Sequence, residues 1–267
     1  AYSKMAAHRG ETGLAEDFGQ KSSDLKGYFN NDWGIKGTES YNRGYIQNGD
    51  PVGGWGRENS WFMPMKEIVE AGTQRTNNYI DYINERLESK DGIPNNIEAL
   101  SYIPEVFFLY HKNELGWKWM KYIISHLQQG HVTSDLTGKN GDYPEVSYVL
   151  IKNVVEDLLG IIPNARENKV STISHLPSEI DFLDLTNIKI GNSMVSVKHE
   201  GVHTSRFKYE SGEEILFWQA RFPGIHDSLF VDGIKKPCNQ GIDQGLEYSF
   251  CDLELKKGES LVVSTRP

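Results

Sequence analysis

The stretch of sequence that decides the fold is GDYPEVSYVLIKNVVEDLLGIIP, residues 141–163. Its apolar residues recur at the spacing of one helix face, namely Val146, Leu150, Val154 and Leu158. Pro144 is tolerated in the first turn of such a helix, and Gly160 and Pro163 are typical of its end. The stretch therefore predicts the last helix of an α-helical part of the chain.

Downstream of Pro163, apolar residues alternate with polar ones, which is typical of half-buried strands. Candidate strands are 170–174, 182–185, 194–199, 204–209, 215–220, 228–231, 247–250 and 261–264. Glycine turns such as Glu200-Gly201 and Asp232-Gly233 separate several of them, and no helical stretch intervenes. Residues 164–267 are therefore predicted to form an antiparallel β-sandwich with Trp218 in its core.

Upstream of Pro163, residues 1–163 are predicted to contain helical hairpins. Further stretches with helical spacing of apolar residues are 64–87, about 97–111 and 117–127. Asp91-Gly92-Ile93-Pro94 separates the first two, and Pro104 is expected to restart or kink the second. Residues 1–62 contain scattered aromatic residues without aliphatic periodicity, so they are predicted to form long ordered loops.

Composition excludes several classes of protein. The net charge is -9 and the pI is about 5.4, without a basic stripe, which argues against a nucleic-acid partner. No run approaches the roughly 20 apolar residues of a membrane helix. Cys238 and Cys251 have neither metal-ligand spacing nor histidine neighbours, so no metal or cofactor is expected. A disulfide between them and two free thiols are both compatible with the sequence.

A second stretch, Gly53-Gly54-Trp55-Gly56-Arg57-Glu58-Asn59-Ser60-Trp61, has the composition of a ligand-binding loop. Its glycines permit tight turns, and two indoles stand beside a guanidinium, a carboxylate and an amide. Asp32-Trp33-Gly34 and Asn48-Gly49-Asp50-Pro51 repeat this mixture upstream. Because aromatic rings cover the C–H faces of a sugar while polar groups orient its hydroxyls, the predicted ligand is a carbohydrate.

Two motifs in the chain resemble those of the six-hairpin glycosidases. They are Gly53–Glu58 before a long helix and Gly141–Tyr148 opening the last helix before a β-domain. Such enzymes, akin to glucoamylases, trehalases and α-rhamnosidases, are built on an (α/α)6 toroid and often carry a C-terminal β-sandwich. The resemblance implies a multidomain α-then-β fold, with a partial toroid over residues 1–163 and the sandwich over 164–267.

The number of predicted helices bears on how much of such an enzyme is present. The four helical stretches are too few to close a toroid. The resemblance therefore implies that the chain is the C-terminal portion of a larger enzyme, with the N-terminal part of the same polypeptide as its partner. Some catalytic residues would then lie outside this chain.

The chemistry implied by the resemblance is hydrolysis of a glycosidic bond by two carboxyl groups, one protonating the leaving oxygen and the other activating water or attacking directly. Inversion, which the family favours, would place them roughly 6.5 to 9.5 Å apart. The candidate acids are Glu58, followed by Asp50, Glu145 and Asp32. The candidates for substrate binding are Asp32, Trp33, Trp55, Arg57, Asn59, Trp61 and Tyr143.

These candidates also have structural interpretations. Glu58 could form an ion pair with Arg57 or Lys66 at a helix entrance. Whether the indoles raise its pKa or Arg57 lowers it stays open. Glu145 falls in the first turn of the last helix, where the helix dipole favours a carboxylate whatever its function. Asp32 and Asp50 could be ordinary turn residues, and both indoles of the glycine-rich stretch could be core residues.

Two other functions remain open. A polysaccharide lyase acting on a uronate-containing glycan would need a Tyr or His base and a group that neutralises the uronate. The residues that could supply these groups are Arg57, Asn59, His131 and Tyr143. The net negative charge makes an anionic substrate less favourable. The third function is a non-catalytic module that binds sugar or serves as a scaffold. From the expected glycan, the protein is predicted to be periplasmic or secreted.

Overall fold

The computed structural model describes residues 2–35, 40–41, 44–45, 47–48, 50–52, 55, 60–90, 92–94, 96–128 and 141–267. The contacts divide the chain into two compact units, residues 1–94 and 95–267. In the second unit the last helices and all the strands of the β-region belong together. The helices predicted upstream of Pro163 are thus shared between both units.

The first unit begins with two helices, α1 (Tyr2–His8) and α2 (Thr12–Asp32). The prediction of loops over residues 1–62 is wrong for this segment. Most side chains of α2 are exposed, so it lacks the apolar stripe by which a helix is recognised. Contacts between side chains four residues apart support it instead, including Lys21 Nζ to Asp17 Oδ2 at 2.7 Å and Gln20 Nε2 to Asp24 Oδ1 at 2.8 Å.

The rest of the first unit contains short antiparallel pairs and two further helices. The pairs are β1 (Gly34–Ile35) with β2 (Ser40–Tyr41) and β3 (Gly44–Tyr45) with β4 (Pro51–Val52). The helices are α3 (Phe62–Met65) and α4 (Gln74–Glu88).

The single helix predicted over residues 64–87 is wrong. Glu67, with φ of 55°, and Gly72, with φ of 74°, adopt left-handed backbone conformations that a right-handed helix cannot contain. The Thr73 side chain then caps α4 by accepting a hydrogen bond from the Thr76 amide. The apolar stripe of α4 is confirmed, since Tyr79, Ile80, Ile83 and Leu87 are buried.

The helices of the second unit are α5 (Ile97–Ser101), α6 (Ile103–Leu109), α7 (Asn113–Ile124) and α8 (Pro144–Lys152). Pro104 lies in the first turn of α6, which confirms the predicted restart. After α8 the chain continues as a π-helix, Asn153–Leu158, before Gly160. None of the helices within the described ranges is long and apolar enough to cross a bilayer.

Two sheets follow the helices. The strands are β5 (Ile161–Asn164), β6 (Lys169–Ile173), β7 (Phe182–Ile190), β8 (Ser193–Glu200), β9 (Thr204–Ser211), β10 (Ile215–Pro223), β11 (Ser228–Val231), β12 (Ile234–Pro237), β13 (Asn239–Asp243), β14 (Leu246–Lys256) and β15 (Ser260–Ser264). One sheet has the order β13-β14-β10-β6-β5 and the other β12-β11-β15-β9-β8-β7. The predicted change from helices to a β-sandwich is confirmed, whereas a toroid is not established by these helices.

One strand pair corrects the prediction of purely antiparallel sheets. β6 runs parallel to β10, with Trp218 opposite Val170. Between these two strands the chain forms β7, β8 and β9 of the other sheet and then returns. A connection that crosses to the opposite sheet and back allows the two neighbours to run in the same direction, which short hairpins do not.

Apolar side chains from both sheets form the core of the sandwich. Trp218 is fully buried, as predicted; its ring stacks on Phe207 at 5.0 Å and its Nε1 donates to Thr172 Oγ1 at 2.9 Å. A second cluster of Phe108, Met120, Leu158 and Leu176 joins α6, α7, the π-helix and the segment after β6. Helices and sandwich of this unit thus share apolar contacts.

Candidate functional site

An aromatic cluster in the first unit includes Trp55 and Trp61 of the glycine-rich stretch. The half-buried Trp55 donates from Nε1 to the Gly92 carbonyl at 2.5 Å. Its ring lies 5.3 Å from that of Trp61 and meets the Tyr82 ring edge to face at 6.3 Å. One hydrogen bond and two ring contacts therefore hold the Trp55 indole in a defined plane while part of it stays accessible.

Trp61 lies deeper than Trp55. It is 0% exposed, as expected of a core residue rather than of a side chain that contacts a ligand directly. The neighbouring Ser60 carbonyl accepts a hydrogen bond from the Tyr79 hydroxyl at 2.5 Å. Within the described ranges, Trp61 Nε1 and Ser60 Oγ are buried polar atoms without a hydrogen-bond partner. The structural interpretation of Trp61 is therefore the better supported one.

The remaining candidates of the first unit fall in different settings. Arg57, Glu58 and Asn59 lie outside the described residues. Asp50 is exposed and forms a local turn, since its amide donates to Asn48 Oδ1 at 3.0 Å and its Oδ2 accepts from Asn48 Nδ2 at 2.6 Å. Asp32 is exposed at the end of α2, and the following Trp33 packs its ring 5.3 Å from Phe29.

Tyr143 and Glu145 belong to the second unit. Tyr143 is the N-cap residue of α8, and Glu145 is an exposed side chain in its first turn. The position of Glu145 in the first turn is the one expected from the sequence. The favourable interaction of a carboxylate with a helix N-terminus accounts for Glu145 without a catalytic role.

A cleft of about 630 Å³ lies in the second unit. The α6–α7 turn, the segment after β6 and the β8–β9 turn line it, with Lys112, Glu114, Asp181 and His203 among its polar side chains. The Ser178 amide donates to Glu114 Oε1 at 2.7 Å. The volume of the cleft lies within the range of small-molecule sites, which is roughly 300 to 1,000 Å³.

A partly buried ionic cluster connects α6 with the π-helix. Lys152 Nζ lies 3.2 Å from Glu105 Oε2 and 3.4 Å from Asp157 Oδ2, and Asn153 Nδ2 donates to Asp157 Oδ2 at 2.7 Å. Burial raises the pKa of Asp157 to about 6, although Lys152 and Asn153 oppose this shift. Burial by itself would lower the pKa of Lys152, but the surrounding carboxylates raise it. The cluster therefore links α6 to the end of α8 and to the π-helix.

Two histidines contact each other behind the cleft. His111, which lines it, places Nδ1 at 3.1 Å from His175 Nε2 and Nε2 at 3.1 Å from the Asp243 carbonyl. His175 Nδ1 lies 2.7 Å from the Asp157 carbonyl. Burial, with a smaller contribution from the charge of His111, lowers the pKa of His175 to about 3. Burial also lowers the pKa of His111, against the opposing influence of Asp243.

Sequence reasoning missed the ionic cluster and the histidine pair. These residues showed no local pattern in the sequence that would distinguish them: Glu105, His111, Lys152, Asp157 and His175. A π-helix often marks a functional position, but its extra residue has no sequence signature. Residues 64 positions apart, such as His111 and His175, meet only in the tertiary structure.

No metal centre emerges within the described ranges, where no group of three or more His, Cys, Asp or Glu side chains could hold an ion. Cys238 and Cys251 are both free thiols, so the predicted possibility of a disulfide between them is not realised.

Comparisons with known proteins do not assign the chain to a family. No family model matches the chain, and no curated protein does. Among solved structures, the chain is similar to a GH127 β-L-arabinofuranosidase from Geobacillus stearothermophilus T6, with 11% sequence identity and a TM-score of 0.30. The match covers 71% of this chain and 31% of that chain. At this TM-score the similarity supports no conclusion about substrate or mechanism.

Proposed function

We propose that the protein takes part in the hydrolysis of glycosidic bonds in an oligosaccharide or polysaccharide. In this proposal Trp55 forms an aromatic surface for a sugar ring, and Glu58 is one of the two carboxyl groups. Asp50 remains the candidate from the same unit for the second. No metal or cofactor is required by this chemistry.

The observation that carries the proposal is the setting of Trp55. Its indole is partly accessible, yet the Gly92 carbonyl, Trp61 and Tyr82 hold it in place. A ring that is already immobilised loses little conformational entropy when a sugar stacks on it. The sequence places Arg57, Glu58 and Asn59 within four positions of this ring. An aromatic surface beside an acid, an amide and a guanidinium provides the chemical groups needed to bind and cleave a sugar.

The direct test is product analysis of the natively produced protein on a panel of neutral and uronate-containing plant and host glycans. We expect new reducing ends without an unsaturated sugar. An unsaturated product that absorbs in the ultraviolet would replace the proposal with a polysaccharide lyase. Saturable binding to a glycan without turnover would support a non-catalytic module instead.

Substitution of Trp55 by alanine separates its role from that of Trp61. We expect Trp55→Ala to weaken binding of the cleaved glycan by about tenfold or more. Its loss of stability should be smaller than that of Trp61→Ala, because Trp55 is only half-buried, although its hydrogen bond to Gly92 and its two ring contacts are lost too. Isothermal titration calorimetry and thermal unfolding measure the two effects.

Trp61→Ala provides the matched comparison. Because Trp61 is fully buried, we expect this variant to lose about 3 to 5 kcal/mol of stability. If Trp55→Ala showed the large stability loss and unchanged affinity, Trp55 would be a core residue and the proposed sugar surface would be withdrawn.

A further inference from the structure

The ring nitrogens of His111 and His175 make three contacts, and these contacts require a definite number of protons. The Asp243 and Asp157 carbonyls can only accept, so His111 Nε2 and His175 Nδ1 must each carry a hydrogen. The third contact joins His111 Nδ1 to His175 Nε2. One of these two nitrogens must also carry a hydrogen for that contact to be a hydrogen bond.

Two neutral imidazoles supply only two N–H hydrogens in total. The two backbone carbonyls use both of them, which would leave two lone pairs facing each other at 3.1 Å. A third hydrogen turns this contact into a hydrogen bond and gives the pair one positive charge. The geometry of the pair is therefore that of a singly protonated imidazole pair rather than of two neutral rings.

His199 shows the contrasting arrangement within the same unit. Its Nε2 lies 3.0 Å from the Leu159 carbonyl and its Nδ1 lies 2.8 Å from Ser205 Oγ. Nε2–H donates to the carbonyl and Nδ1 accepts from the hydroxyl, so one neutral ring satisfies both contacts. Burial lowers the pKa of His199 to about 4, in agreement with a neutral ring.

We propose that His111 and His175 share three ring hydrogens at neutral pH and thereby form a proton-dependent clasp. The clasp joins the α6–α7 turn, the end of the π-helix and the tip of the β13–β14 hairpin. The extra proton comes from solvent, and its release at higher pH leaves one of the three contacts without a hydrogen. His111 also lines the cleft, so the charge lies at the cleft wall.

Burial opposes an extra proton on either ring, so the hydrogen bond between His111 and His175 must hold it. The charged and titratable groups on the packed elements are Lys112 of the α6–α7 turn, Glu114 of α7, Glu105 and Lys152 with Asp157, Asp243 of the hairpin, His199 of β8, and Asp181 and His203 around the cleft. Burial lowers the pKa of His111, and the hydrogen bond to the Asp243 backbone and the Asp243 charge oppose this shift. Burial, and to a smaller extent the charge of His111, lowers the pKa of His175 to about 3, which opposes a second extra proton.

Nitrogen-15 NMR of the wild-type protein at pH 7 counts the hydrogens directly, because protonated and unprotonated ring nitrogens have well separated shifts. We expect the pair to contain one unprotonated nitrogen among its four, and His199 to contain one of two as the internal control. Two unprotonated nitrogens in the pair would show two neutral rings and overturn the proposal.

The pH dependence of stability provides a second test, measured as the difference between wild type and His111→Gln/His175→Gln. In the unfolded chain, the two histidines together hold on average one proton more than two neutral rings near pH 6.5. They hold fewer protons at higher pH and more at lower pH. In this proposal the hydrogen bond between the rings keeps one extra proton on the folded pair throughout this range, against the effect of burial. The stability difference should therefore rise with pH below about 6.5, pass through a maximum and fall above it.

Two neutral rings would give a different curve. The stability difference would rise through pH 6.5 and level off, because the unfolded chain would bind more protons at every lower pH. A plateau without a fall at alkaline pH would therefore contradict the clasp. Should the double variant fail to fold, the hydrogen count in the wild-type protein still decides. The clasp does not depend on the proposed activity, since neither measurement uses a glycan.

Discussion

Glu58→Gln is expected to reduce turnover of a glycan substrate by about a thousandfold while leaving the fold intact. The amide keeps the shape of the side chain but can neither donate an acidic proton nor act as a carboxylate base or nucleophile. General acid–base catalysis contributes about 10² to 10⁴ in rate, so the loss falls within this range if Glu58 has one of these roles. The measurement is kcat on the substrate that product analysis identifies, together with the circular dichroism spectrum of the variant.

Glu85→Gln is the matched control for this substitution. Glu85 is an exposed residue of α4, and the change removes the same charge from the same unit. We expect its turnover to equal that of wild type. Wild-type turnover in Glu58→Gln would remove Glu58 from the active site and leave Asp50 and Glu145 as the candidates from this chain.

Gly160→Ala is expected to destabilise the second unit by about 3 kcal/mol or more. Gly160 has φ of 52°, a left-handed conformation, at the end of the π-helix. A Cβ atom there would lie 1.9 Å from the Ile173 carbonyl oxygen, which belongs to the backbone of β6. The strand would have to move, and the Ile173 amide donates to the Gly160 carbonyl at 3.2 Å, so the clash falls on a paired segment.

Gly201→Ala isolates the steric part of this effect. Gly201 has φ of 51°, almost the same backbone conformation, but an added Cβ would meet no atom within 4 Å. We expect it to cost only the left-handed backbone penalty, about 1 to 2 kcal/mol. Chemical denaturation of both variants measures the difference. Equal losses would show that the backbone conformation, and not the approach of Ile173, makes glycine necessary at position 160.

Local patterns predicted the parts of the fold that depend on one face of an element. The α4 stripe appears in the sequence because a buried helix face repeats at helical spacing. Strands β7 and β9 appear because more exposed side chains alternate with more buried ones along most of their length. Helix α2 leaves no such pattern because little of it is buried. Its composition is mostly polar, as in a loop, and the contacts that support it lie between polar side chains.

The candidate site was predictable to a lesser extent. Composition drew attention to Trp55 and Trp61, but it assigned both to the same role. Only the structure separates an accessible indole held by the Gly92 carbonyl from a fully buried one. Burial depends on packing partners distant in sequence, and the residues around an aromatic side chain do not encode it.

The sequence by itself determined that helices precede an alternating β-region, that Pro104 restarts a helix and that Trp218 belongs to a core. These features depend on local periodicity and on backbone restrictions within a few residues. The tertiary structure alone decided that β6 pairs parallel with β10, and it brought His111 to His175 and Lys152 to Glu105 and Asp157. Strand order and proton sharing arise from contacts between separate elements, for which a local sequence pattern has no signal.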